Sequence, residues 1–170
     1  AEALRADVRD PSVDIRPLYG AMSPADQDAA ISAAPAGRRK VVLATSIAET
    51  SLTIEGVRIV VDAGLARRPR YEPALGLSRL ETVRASQAAV TQRAGRAGRT
   101  RAGTCLRLWT EGTQRSMQDE DEPEIRRVDL AGPVLQLLAF GERDPRTFPW
   151  FEAPPDAALE SAMSLLERLG

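Results

Sequence analysis

An α/β fold built on a parallel sheet is what this sequence predicts, and three observations carry the prediction. Val41-Val42-Leu43-Ala44 and Ile59-Val60-Val61 are apolar without alternation, the pattern of strands buried on both faces of a parallel sheet. A helix start, Ser23-Pro24, separates the first of these runs from an earlier alternating stretch, Val13–Leu18. Strand, helix, strand at such intervals is the unit from which parallel sheets are assembled.

In chain order, Ala1–Val8 reads as the end of a helix that starts upstream. Val13–Leu18 alternates apolar and polar side chains, as a strand does. The helix opened by Ser23 as N-cap and Pro24 at N1 should run to about Ala34 and stop at Pro35-Ala36-Gly37. The two apolar strands follow, the second as Arg58–Asp62. Leu65–Glu72 and Leu77–Val83, joined by Pro73-Ala74-Leu75-Gly76, read as a β-hairpin with a four-residue turn. Ser86–Ala97 is a Ser-capped helix running into glycine, and Gly103–Trp109 is a further strand. Asp119–Glu124 is an acidic, Pro-containing connector. Beyond it Leu130, Val134, Leu137 and Leu138 share one helical face, 145–155 is irregular, and Asp156–Leu169 is an amphipathic helix.

Composition excludes several chemistries. At 170 residues and 43% hydrophobic content the chain can bury a core of one domain, or of one domain and part of another. Cys105 is the single cysteine and histidine is absent, which removes disulfide frameworks, Cys-based zinc sites and His-dependent triads. Both absences fit a cytoplasmic protein, and no apolar run is long enough to span a membrane. Lys40 is the only lysine, a bias toward arginine that GC-rich coding also produces, so position must carry any argument. Net charge is −1, yet residues 65–110 carry +8 between flanks of −2 and −7. Such a basic segment suits phosphate handling, or is a solvated basic face.

The chemistry concentrates in Gln92-Arg93-Ala94-Gly95-Arg96-Ala97-Gly98-Arg99. Three arginines at intervals of three lie along one helical edge, with small residues between them that let another surface approach. Guanidinium stays charged and forks onto phosphate oxygens, which suits a γ-phosphate whose charge spreads during transfer. The plain alternative is a surface arginine helix or a generic basic patch.

This segment resembles motif VI of the DEAH-type superfamily 2 RNA helicases, and three other stretches resemble motifs of the same family in the same order. Ala44–Ile54 (ATSIAETSLTI) is similar to motif V, with Ser46 where asparagine is usual; Arg16–Gly20 (RPLYG) looks like motif IV; Val61-Asp62-Ala63-Gly64 looks like the lead into the family's hairpin. The GLSRLET hairpin and the DEPEI connector bring the likeness nearest to the bacterial HrpB branch. The resemblance implies a RecA-like fold for 1–118, truncated at its N-terminal edge and carrying a hairpin insertion. An acidic linker would occupy 119–127, and the helical start of a winged-helix domain 128–170. It implies an ATP-dependent motor in which ATP and Mg²⁺ are held mainly by a first RecA-like domain of the same polypeptide. This half would supply arginine fingers Arg96 and Arg99, with Gln92 near the attacking water and Ser51 and Thr53 sensing the nucleotide. Arg93 either touches nucleotide or holds structure. RNA or other nucleic acid would run past Gly20 and Thr45, Thr45 otherwise being a strand-end cap. The hairpin, through Arg67, Arg68 and Arg70, would act as a strand-separating wedge, a phosphate clamp, or an ordinary basic hairpin.

No G-x-x-x-x-G-K-[ST] and no DEAH tetrapeptide occurs in the sequence, so the chain reads as part of a motor that is inactive alone. Two other readings stay open: a non-catalytic nucleic-acid or partner-binding module with a helicase-like fold, and an unrelated α/β protein with an arginine-rich interface helix. Cys105 reads as a core thiol; Trp150 and Phe151 read as a small core rather than a base-stacking platform. Asp62 has no acid or base partner nearby in the sequence.

Overall fold

The computed structural model describes residues 1–49, 53–72, 75–99 and 101–170. By contacts the chain divides into two compact units, Ala1–Arg67 with Val83–Asp121, and Arg68–Thr82 with Glu122–Gly170.

The first unit contains α1 (Glu2–Asp7), β1 (Val13–Leu18), α2 (Pro24–Ile31), β2 (Arg39–Ala44), β3 (Ile59–Asp62), α3 (Gln87–Ala97), β6 (Thr104–Arg107) and α4 (Glu111–Arg115). The root of the hairpin formed by β4 (Leu65–Glu72) and β5 (Leu77–Arg84) also belongs to it. β1 and β2 pair in parallel from Val13 opposite Arg39 to Leu18 opposite Ala44, and α2 makes the crossover. β3 and β6 pair in parallel from Ile59 opposite Thr104 to Asp62 opposite Arg107, with the hairpin and α3 between them in sequence. Parallel pairing demands crossovers of this length.

The helix caps follow from the sequence. Ser23 accepts from Asp26 N at 3.2 Å, with Pro24 at N1. The helix stops at Ile31, short of the expected Ala34, because Ser32 turns extended and Lys40 Nζ takes the carbonyls of Ala29 and Ser32 at 2.7 Å each. A cation at the carbonyl end of a helix satisfies orphan acceptors and opposes the dipole. Ser86 caps α3 by accepting from Ala89 N, and the carbonyls of Gln118 and Asp119 take the free Gln87 and Ala88 amides. The acidic run thus begins on the α3 N-terminus. Helix α4, capped by Thr110, was not read from the sequence.

The two apolar runs depart from expectation. Ile59 and Val61 are 64% and 60% exposed, and Leu43 is also exposed, although the pattern predicts burial on both faces. Burial in β3 alternates instead, with Asp62 inside. α3 packs on this ladder, and no described element covers the face bearing Ile59, Val61 and Leu106. The described residues form two separate two-stranded parallel ladders rather than one sheet. Apolar sequence marks these strands as able to be buried twice; burial itself needs a second layer.

The core of this unit joins Ala85, Ala89, Val90 and Met117, with Ala66 and Trp109 against them. Gly64, at φ +69°, could not carry a side chain, since a Cβ there would lie 2.8 Å from the Trp109 ring. Cys105 is half-buried.

In the second unit α5 (Ala131–Phe140) packs on α6 (Asp156–Leu169) through Leu130, Val134, Leu159 and Ala162. β4 is clipped to this unit by Tyr71 N on the Arg127 carbonyl (2.8 Å) and Arg127 on the Pro69 carbonyl (3.1 Å). Trp150 does join local packing, its indole donating to the buried Pro145 carbonyl and its ring edge-on to Phe148. Phe151 does not: it sits at a bend and is fully exposed, so it joins no core. Among the described residues no helix is long and apolar enough to cross a membrane.

Gly103 threads between the end of α3 and the start of β3, where a Cβ would come within 2.6 Å of the Ala97 carbonyl carbon and 2.7 Å of the Arg58 oxygen. Both obstacles are backbone. Gly103→Ala should therefore lower stability by about 1–3 kcal/mol or more, as overpacking does, and a urea titration of the purified protein reads it.

Candidate functional site

α3 builds the centre of the site. Its 3.6-residue period puts Gln92, Arg96 and Arg99 on one stripe (i, i+4, i+7) and turns Arg93 about 100° away. Gln92 is exposed, Arg96 half-buried and Arg99, just past the helix, exposed.

The stripe meets the motif V-like stretch. Arg96 donates Nε to the Glu49 carbonyl at 3.0 Å, and a second guanidinium nitrogen closes on the same oxygen. Arg99 donates to the Thr53 hydroxyl at 2.7 Å. Arg96, Arg99 and Thr53 are thus brought together; Ser51, with Thr50 and Leu52, lies outside the described residues.

Arg93 takes the opposite direction, into the protein. Its Nε donates to Glu49 Oε2 at 2.9 Å, and one terminal nitrogen donates to Asp62 Oδ1 at 3.1 Å and to the Leu65 carbonyl at 3.0 Å. Asp62 is buried, and its Oδ1 also accepts from Gly64 N at 2.9 Å; Oδ2 has no partner among the described groups. Burial works against the guanidinium's charge, but the hydrogen bond it donates to Glu49 and the charge of Asp62 more than offset it, so its pKa is raised. Of the sequence's two alternatives for Arg93, this geometry supplies the structural contacts. Asp62, without a visible partner in the sequence, is paired across 31 residues.

Gly20 and Thr45 leave the sheet at the same edge. Leu18 and Ala44 close the ladder, and Thr45 N donates to the Leu18 carbonyl at 3.0 Å. The carboxyl end of parallel strands is where open α/β sheets receive ligands. Thr45 makes no side-chain cap on the turn Ser46–Ala48, and Gly20 has open space around it. The hairpin arginines fall apart by unit: Arg67 in the first, Arg68 and Arg70 in the second. Arg70 lies 4.0 Å from Glu81, and Arg79 pairs with both Glu72 and Glu81, so part of the hairpin's basic charge is neutralised along its own strands.

Residues 2–101 match the family described as helicase conserved C-terminal domain. The chain belongs to that family. This helicase C-terminal domain is 51% identical over 154 residues to the Escherichia coli (strain K12) protein named ATP-dependent RNA helicase HrpB, covering 91% of this chain and 19% of that one. It is 47% identical over 156 residues to the Mus musculus protein named probable ATP-dependent RNA helicase DHX34, covering 92% of this chain and 14% of that one. The crystal structure of Escherichia coli DEAH/RHA helicase HrpB superposes with a TM-score of 0.91 at 48% identity, over 99% of this chain and 22% of that one. The chain is therefore DEAH-type and HrpB-like, its α/β fold is RecA-like, and it spans about a fifth of the length of HrpB.

Sequence reasoning missed Glu49. It sits inside the quoted motif, but its partner lies 44 residues away, and nothing local marks it as the node where Arg93 and Arg96 meet. Removing Arg93 would leave Asp62 charged and buried without its counter-ion. Arg93→Ala should cost about 3–5 kcal/mol, as breaking a buried pair does, measurable by chemical denaturation; a loss below 1 kcal/mol would contradict the burial argued here.

Proposed function

We propose that this chain is the second motor half of a DEAH-type helicase that couples ATP hydrolysis to movement along, and unwinding of, RNA. The observation that carries the reading is the meeting of Arg96 and Arg99 with Glu49 and Thr53. Two stretches far apart in sequence, each similar to a nucleotide-handling motif of this family, come together at one edge of α3. The relatives named ATP-dependent RNA helicases support it.

The donor set fits the γ-phosphate end of ATP. Arg96 and Arg99 would stabilise the charge that spreads over the transferred phosphoryl group, a contribution of about 10³–10⁵ in rate for fingers of this kind. Gln92 would orient water, and Ser51 and Thr53 would register the nucleotide's state. Among the described residues no group of three or more carboxylates or other metal-ligating side chains is gathered that could hold a metal ion. The metal ligands and the phosphate cradle belong to a first RecA-like domain of the same polypeptide. RNA runs past Gly20 and Thr45, contacts that position the strand and carry no base sequence. Arg67, Arg68 and Arg70 extend that track, and the helicase acts in the cytoplasm. Residues 119–127 link this motor half to the helical start of a winged-helix domain at 128–170.

Two measurements test the division of labour. The chain purified by itself should release no phosphate from ATP above background, with or without RNA; RNA-stimulated turnover would contradict the reading. In the complete protein, Arg96→Ala or Arg99→Ala should lose more than about 2 kcal/mol of transition-state stabilisation, the scale of a single electrostatic donor, while filter binding of RNA stays near wild type. A variant that hydrolyses ATP normally identifies its arginine as structural.

A further inference from the structure

The contacts of Arg93 reach two separate stretches of chain: the Glu49 carboxylate, and the turn from Asp62 at the end of β3 to Leu65, the first residue of β4, where it holds the Asp62 carboxylate and the Leu65 carbonyl. Glu49 holds Arg93 with its side chain and Arg96 with its backbone carbonyl. The phosphate-facing stripe of α3 and the root of the hairpin are therefore joined through two side chains, Glu49 and Arg93.

The pieces differ in how firmly they are fixed. Asp62 is buried and doubly engaged on Oδ1, by Gly64 N and by Arg93, which makes it the pivot. Glu49 follows a short turn, and its carbonyl accepts from the Arg96 guanidinium. A guanidinium presents its donors in a rigid plane, so a pull at one edge displaces the other edge rather than being absorbed by rotation.

We propose that Glu49 and Arg93 are positioning residues that transmit the state of the phosphate site to the root of the hairpin. When Arg96 turns toward a phosphate, the Glu49 carbonyl loses its donor, the Glu49 carboxylate shifts with its turn, and the pull on Arg93 Nε is passed to the terminal nitrogen that holds Asp62 and Leu65 together. Traffic runs equally in reverse, since coupling between two sites is reciprocal in free energy. A ligand displacing the hairpin root would bias Arg96. This rests on the reading of Arg96 and Arg99 as phosphate ligands.

The test uses the complete protein and reads the factor by which single-stranded RNA accelerates ATP turnover, each variant normalised to its own RNA-free rate. Glu49→Gln keeps an oxygen for Arg93 but removes the charge; Arg93→Lys keeps the charge beside Asp62 but replaces the planar fork with a point charge. Each should lower the stimulation factor on the order of tenfold, within the range of inter-site couplings. A network that only stabilises the fold would lower the melting temperature and leave that factor unchanged, which would overturn the proposal, as would wild-type turnover that ignores RNA. If Arg93→Lys does not fold, Glu49→Gln decides alone, because Asp62 keeps its partner there. Arg99→Ala separates the two levels: wild-type hydrolysis by that variant sinks the phosphate-site reading, whereas its inactivity together with unchanged stimulation in Glu49→Gln sinks only the transmission.

Discussion

One guanidinium, that of Arg93, sets the internal order of the first unit. It lies largely buried between two carboxylates, and one of them, Asp62, has almost no access to water. Charges so placed are retained only when geometry and hydrogen bonds repay their desolvation. Here the repayment consists of three acceptors from two stretches of chain, which fixes the turn from β3 into the hairpin and the motif V-like stretch against α3. The small residues around Arg93 on the helix give these partners room. Arg93 points inward and its neighbours in the repeat point outward, so one spacing of three yields a structural anchor and an exposed pair from the same motif.

Around that anchor α3 is held at both ends by backbone. Its N-terminal amides are taken by Ser86 and by the carbonyls of Gln118 and Asp119, and its C-terminal end passes against Gly103. A helix fixed in this way presents Arg96, and Arg99 just past its end, from a held base, which suits the phosphate-facing role proposed for them. Their partners lie outside the helices and strands: Glu49 follows a short 3₁₀ turn, and Thr53 lies in no regular element.

Much of this was legible in the sequence. Ser23-Pro24 and Ser86 marked two helix starts to the residue, because a cap is a local interaction. The apolar runs located β2 and β3, and the evenly spaced arginines fall on and just past α3, where Arg96 and Arg99 meet Glu49 and Thr53. What stayed hidden depended on distant partners. The exposure of Ile59 and Val61 depends on a covering layer that neither run encodes. The pairing of Arg93 with Glu49 and Asp62 spans 44 and 31 residues, beyond any local pattern. The hairpin was readable from its strand–turn–strand pattern, yet the partition of Arg67 from Arg68 and Arg70 follows from tertiary contacts alone. Helix α4, five residues long, is too short to display a period.

Lys40 has a consequence outside the motor. It is the sole lysine of the sequence, and its ammonium is already shared between two carbonyls at the end of α2. Amine-directed chemistry, whether an acylating dye, a surface coupling or a crosslinker, thus has one side-chain target in these residues, and modifying it removes the positive charge that closes a helix. Attachment through Lys40 would perturb the structure it is meant to report, whereas the thiol of Cys105 offers a single-site handle that takes no part in these contacts.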